Sequence, residues 1–254
     1  MTPLQMLKAV RTGNAESDTT THTVESSLPM ARLSRRSLLR GGAASLLTAS
    51  AVDMLITQPL QAQSPLTPDA ALKELFDGNE RFAAGRMTSF EHDLKILKEH
   101  TVDKQEPFAA VLSCADSRVP VELIFDQTIG HVFVTRVAGN VITPEIIASL
   151  EYGAAVLGVK AILVLGHGSC GAVKAAIQGK EVPGQISALY PHLRPAIDHA
   201  GPNLEGAIKA NAYMQAMLLS QASPVIAPLV KDGKIKVVAG YYELDTGKVS
   251  MVES

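Results

Sequence analysis

The sequence predicts an α/β fold: a mostly parallel central sheet flanked by helices, with an antiparallel strand at the end. Three observations carry this. Short runs such as Phe108–Ser113 and Ala161–Leu165 ("AILVL") are apolar throughout, as strands buried on both faces must be. Longer segments between them have apolar residues at helical spacing. The turn Asp245-Thr246-Gly247 separates the two last apolar runs by too little chain for a crossover, so that final pair is antiparallel.

The elements follow in order. Thr67-Pro68-Asp69 supplies an N-cap, a proline at the first helical position and an acid in the first turn. Leu72, Leu75, Phe76 and Phe82 then give residues 68–84 one apolar helical face, and a second helix is expected over about 90–100. Phe108–Ser113 is the first strand, 131–137 ("HVFVTRV") the second and Ala161–Leu165 the third. Between the last two, Pro144 marks a helix start, and Ile146, Ile147, Leu150, Val156 and Leu157 form its buried stripe. Residues 169–178 and Ala207–Ser220 read as further helices, Ile235–Tyr242 as the fourth strand and Val249–Val252 as the fifth.

The amino-terminal part has a different composition. Its first 62 residues contain six basic groups (Lys8, Arg11, Arg32, Arg35, Arg36, Arg40) and four acidic ones (Glu16, Asp18, Glu25, Asp53). With a net charge of −2 for the whole chain, that +2 leaves −4 on the remainder, so no broad basic field exists for nucleic acid. Ser34-Arg35-Arg36-Ser37-Leu38-Leu39 is a twin-arginine pattern, followed by a moderately apolar stretch to about Ile56 and small residues near Gln61-Ala62-Gln63. Residues 1–62 therefore read as an export signal and leader of the twin-arginine type, which implies a periplasmic or otherwise exported protein and the Tat export machinery as a partner. Met30-Ala31-Arg32-Leu33 would open a compact signal of its own, which points to translation starting at Met30. No stretch reaches the roughly 18 uninterrupted apolar residues of a membrane span, and Arg40 and Asp53 argue further against a permanent anchor. Residues 63–254, 192 in all, suit a single catalytic domain.

Two stretches of that domain are dense in chemistry: "CADSRVP" from Cys114 and "GHGSCGAV" around His167 and Cys170. Cys114 follows the first strand and His167 the third, at the sheet edge where ligands of such folds gather. Cys170 is expected in the first turn of the next helix, where free amides favour a thiolate. A Cys114–Cys170 disulfide is the competing reading, and closing that loop of 56 positions would stabilise by about 4 kcal/mol in the chain-entropy treatment. It leaves unexplained both the spacing of His167 from Cys170 and the glycines at 166, 168 and 171. A passenger that crosses folded could also load zinc in the reducing cytoplasm. Two thiolates and one imidazole suit a single Zn²⁺, and three protein ligands leave the fourth position open. Asp116 is placed to accept a hydrogen bond from water there, or to take the fourth position itself in a closed state. Arg118 can hold that carboxylate by a bidentate pair.

These stretches, with "FDQTIGHVFVTRVAGN", "SLEYGAAVLGVKAILVLGHGSCGAV" and the "NERF" of the first helix, resemble a beta-class carbonic anhydrase over about residues 65–252. The resemblance implies zinc-dependent reversible hydration of carbon dioxide to bicarbonate and a proton, by a zinc-bound hydroxide, in a homodimer or a dimer-based oligomer. It implies Cys114, His167 and Cys170 as the metal ligands, Asp116 and Arg118 as the catalytic dyad, and Gln127 as a substrate-binding residue near the dimer interface. Two thiolates cancel the metal's formal charge, so the site is expected to acidify water less than a three-histidine one. His131, His192 and His199 read as surface residues rather than proton carriers. The chain has no Trp, and Val111 and Ser113 stand where a subgroup with a non-catalytic bicarbonate pocket differs, which argues against that form of regulation.

Relatives of this fold that hydrolyse carbonyl sulfide or carbon disulfide share the ligand set. A non-catalytic zinc-stabilised envelope module would have no use for the Asp116–Arg118 pair. A redox protein would be expected to carry a C-x-x-C, which is absent.

Overall fold

The computed structural model describes residues 64–88 and 105–253. The twin-arginine leader, the alternative start at Met30 and the helix expected over about 90–100 lie outside the described residues.

Five strands form one sheet in the order β2-β1-β3-β4-β5. They are β1 (Ala109–Ser113), β2 (Val132–Arg136), β3 (Ala161–His167), β4 (Lys236–Tyr242) and β5 (Val249–Val252). β2, β1, β3 and β4 are mutually parallel, and β5 runs antiparallel to β4 with Tyr242 opposite Val249. This is the fold class expected from the sequence. β1 and β3 are buried at every position because helices cover both faces.

Side-chain alternation divides each central strand between two cores. Leu112, Ile162 and Val164 point to one face, where they meet Ile146 and Leu150 of α3 (Pro144–Ala155) and Ala212, Ala216 and Leu219 of α6 (Leu204–Ala222). Val111, Leu163 and Leu165 point to the other, against Ala71 and Leu75 of α1 (Pro68–Ala83) and Ile124 of α2 (Val121–Ile124). α1 begins as its sequence requires: Thr67 caps it by accepting from the Ala70 amide, with Pro68 and Asp69 in the first turn. Asn79, buried on α1, donates to the Ile124 and Gly247 carbonyls and accepts from the Val249 amide, tying the helix to α2 and to β5.

Several elements differ from the expectation. α4 (Gly171–Gln178) starts after Cys170, which is its extended N-cap residue and not part of its first turn. α6 begins three residues before Ala207, because Asn203 caps it by accepting from the Gly206 amide. α5 (Tyr190–Ala200) was unforeseen: Pro191 and Pro195 disguise a helix whose buried stripe is only Leu193, Ala196 and Ile197. The short α7 (Ile226–Lys231) also went unread. No helix among the described residues is long and apolar enough to cross a membrane.

Candidate metal centre

The parallel arrangement places the carboxyl ends of β1, β2 and β3 side by side, since Ser113 is in register with both Arg136 and Leu165. Cys114 leaves β1 there, His167 ends β3, and Cys170 follows after one tight turn in which Ser169 adopts a φ of 55°. One ligand atom from each of the three lies within 4.8 Å of the others, and all three residues are buried. Both cysteines are free thiols.

His167 shows how it would bind. Its Nδ1 is 2.9 Å from the Gly168 carbonyl oxygen, which can only accept, so the proton sits on Nδ1 and Nε2 keeps its lone pair. That Nε2 is buried without a hydrogen-bond partner. A buried acceptor left bare costs stability, unless something coordinates it.

The sulfurs act as a pair. The Cys114 thiol is held well below its usual range, chiefly by a hydrogen bond from Cys170, with the nearby His167 ring and then the Gly139 and Asp116 amides adding to this against the cost of burial. Cys170 is pushed up because its proton is engaged by Cys114 and because it is buried, although the Val173 and Ala172 amides of α4 pull the other way. One proton is thus shared between two sulfurs. A dication that takes both as thiolates must displace it, which links metal affinity to pH. Two sulfurs, one bare imidazole nitrogen and a hydrogen-bonded opposite ring nitrogen form a donor set that fits Zn²⁺.

Asp116 and Arg118 meet as the sequence suggested. Arg118 Nε donates to Oδ1 at 2.9 Å and Nη2 to Oδ2 at 2.8 Å, while the Arg118 amide donates to Oδ1 at 3.0 Å. The Arg118 guanidinium, and then its amide, hold the Asp116 carboxyl well below the ordinary carboxylate range. Asp116 Oδ2 stands 3.8 Å from the bare His167 Nε2. Arg118 Nη2 also reaches the Ser169 carbonyl at 3.4 Å, so it bridges the two sequence motifs.

Gln127 is placed elsewhere. It is buried, and its Nε2 donates to the Phe125 carbonyl at 3.0 Å and to Glu74 Oε1 of α1 at 3.4 Å, not to the metal cluster. His131, His192 and His199 are exposed.

Two contributors escaped the sequence reading. Arg136, at the end of β2, donates through Nε to the Cys114 carbonyl at 3.0 Å and through Nη2 to the Asp116 carbonyl at 2.5 Å, fixing the backbone that bears ligand and dyad. The Gly139 amide donates to Cys114 Sγ at 3.3 Å. The only signal for either lay in "TRVAGN", whose glycine takes a left-handed φ of 75°.

Comparison with known proteins agrees with this geometry. Residues 109–249 match the model of the family described as Carbonic anhydrase. Carbonic anhydrase 2 of Mycobacterium tuberculosis is 36% identical over 197 residues, covering 71% of this chain and 91% of that protein. The carbonic anhydrase of Mycolicibacterium smegmatis is 38% identical over 192 residues, covering 72% of this chain and 93% of its own. Among solved structures, a Coccomyxa beta-carbonic anhydrase in complex with acetazolamide superposes with a TM-score of 0.55 at 25% identity, covering 71% of this chain and 86% of that one. With the family model matching more than half of its length and relatives 36% and 38% identical, the chain belongs to the carbonic anhydrases, in their beta class.

Proposed function

We propose that this chain hydrates carbon dioxide reversibly at the Cys114–His167–Cys170 centre, with Asp116 and Arg118 as its working dyad. The observation that carries the reading is the ionised Asp116 carboxylate, gripped at both oxygens by Arg118, with Oδ2 3.8 Å from the unpartnered His167 Nε2. Zinc, when bound, supplies the Lewis acidity that makes water ionisable near neutral pH. Asp116 Oδ2 would accept a hydrogen bond from the reacting water and so turn a lone pair of the water oxygen towards the carbon of the substrate. Arg118 keeps the carboxylate ionised and restrains it from swinging onto the open position, so a closed state with Asp116 as fourth ligand requires that pair to break. The cluster is buried among Val141, Val173 and Leu193, an apolar setting suited to a nonpolar gas. Stopped-flow measurement of carbon dioxide hydration by the zinc-loaded mature chain tests the proposal. The expected outcome is turnover that requires zinc; a zinc-replete protein without hydration would refute it.

We infer further that the working form is a homodimer or an assembly of dimers in which Gln127 contributes to substrate binding. Its side chain lies against Glu74 of α1, away from the cluster of its own chain, which agrees with service at an interface. The protein is further proposed to be exported through the twin-arginine route, a reading supported by Arg35 and Arg36 ahead of the apolar stretch. Replacing both by Lys should retain the precursor in the host cytoplasm, because the receptor reads the pair and not the charge alone. Normal periplasmic delivery of that double variant, followed by fractionation, would rule the route out.

A further inference from the structure

We propose that Asn211 and Gln215, far from the metal motifs in sequence, are positioning residues for the metal centre: they set the Gly139 amide that donates to Cys114 Sγ. This rests on Cys114 being a metal ligand.

The two side chains are four residues apart on α6 and therefore on one face of the helix. Both are buried, at 1% and 5% exposure, where an amide without partners would be costly. Their orientation is fixed at both ends by backbone groups that have only one role. The Ile142 amide can only donate, and it does so to Gln215 Oε1 at 2.8 Å. Gln215 Nε2 must then face the other way, donating to Asn211 Oδ1 and to the His192 carbonyl, each at 3.2 Å. That leaves Asn211 Nδ2 to donate to the Gly139 carbonyl, at 2.8 Å, an oxygen that can only accept. No flip of either amide satisfies the same partners.

The relay ends on the residue least able to hold itself in place. Gly139 sits at φ 75°, ψ 13°, and Asn140 beside it at φ 43°, so two successive residues are left-handed. Such backbone persists only where its surroundings determine it. A side chain at 139 would be strained by that φ and tight as well, with a Cβ 3.3 Å from Leu193 Cδ2 and 3.4 Å from Ala172 Cβ. With Asn211 holding the carbonyl on one side of this Cα, the amide on the other side is aimed at Cys114 Sγ, 3.3 Å away. An N–H bond to a thiolate withdraws electron density from it. The bond thereby stabilises the anionic sulfur in an apolar setting and fixes it in the position from which it meets the other two ligand atoms, so its loss should shift the sulfur-to-metal band and weaken metal binding.

The test uses Asn211→Leu and Gln215→Met, which keep volume and delete the relay, with Leu219→Ala as a control elsewhere on α6. Leu219 is fully buried against Ile146 and Leu150 of α3 and takes no part in the hydrogen bonds of the relay, so its loss destabilises the helix while leaving the relay's donors and acceptors in place. Each full-length protein is loaded with cobalt(II) to read the sulfur-to-metal charge-transfer band, and with zinc to read affinity against a chelator. The expected result is a shifted band and about a tenfold loss of zinc affinity in both relay variants, with neither change in Leu219→Ala. If Asn211→Leu does not fold, Gln215→Met alone decides, because it leaves Asn211 in place but unoriented. Relay variants that keep the parent band and affinity while losing only thermal stability, as Leu219→Ala does, would overturn the proposal. A parent cobalt protein with no thiolate charge transfer would instead overturn the ligand assignment, and the proposal with it.

Discussion

Two aspartate–arginine pairs of the domain, Asp126–Arg81 and Asp116–Arg118, are built for different ends. Asp126, just after α2, takes a φ of 45° and buries its carboxylate completely. Arg81 of α1 donates to its Oδ2 at 2.5 Å, while the Thr88 amide and hydroxyl fill further lone pairs. Three donors hold a carboxylate with no exposure to solvent, so the pair works as a staple between α1 and the end of α2. Asp116 is 17% exposed, its partner Arg118 51%, and one of its oxygens stands beside a bare imidazole nitrogen instead of a hydroxyl. Asp116 also accepts three hydrogen bonds, so exposure and the neighbouring imidazole, more than the ion pair itself, separate the two carboxylates.

Breaking each pair should therefore give opposite phenotypes. The largest expected effect is on turnover: Asp116→Ala should lose about a hundredfold or more of hydration rate, on the scale of positioned proton acceptors, while keeping its zinc. Arg118→Ala should resemble it, because an unheld carboxylate can drift onto the metal. Full zinc with near-normal turnover in Asp116→Ala, by metal analysis and stopped flow, would remove the dyad from the mechanism.

Asp126→Ala should do the reverse. It leaves the Arg81 guanidinium and the Thr88 groups without their acceptor, at a cost of about 2 kcal/mol in urea unfolding once the partial exposure of Arg81 is allowed for. Its metal content should match the parent. A zinc-depleted but equally stable Asp126→Ala would show that the two regions are not independent.

The smallest effect sharpens the contrast through pH. The folded pKa of Asp116 lies below its unfolded value of about 3.9. Its contribution to stability is accordingly complete above about pH 4 and is lost as pH falls through the folded value. Between pH 5 and 8 this carboxylate does not titrate, so any inflection in hydration over that range belongs to another group. Carboxyl carbon-13 NMR of the metal-free protein should show no Asp116 transition above pH 4, and one near pH 6 would contradict the grip assigned to Arg118.

Much of this was legible because it is local. The cap at Thr67, the helix start at Pro144, apolar strands at 108–113 and 161–165, and an Asp and Arg two residues apart leave patterns within a few positions, where propensity and side-chain reach act directly. Cys114, His167 and Cys170 could be gathered as well, since parallel strands bring their carboxyl ends to one edge whatever the loops between them do. The tertiary structure alone decided the rest. Arg136 grips the Cys114 and Asp116 carbonyls from another strand, and Asn211 reaches Gly139 across 72 positions. In both cases the partner is a peptide group, which every residue possesses, so no residue type at the receiving end marks the contact. Which peptide a side chain finds depends on how a helix lies on a sheet. That is set by packing, as where Ile208 of α6 lies so close to Gly166 that a Cβ there would come within 2.9 Å of Cγ2.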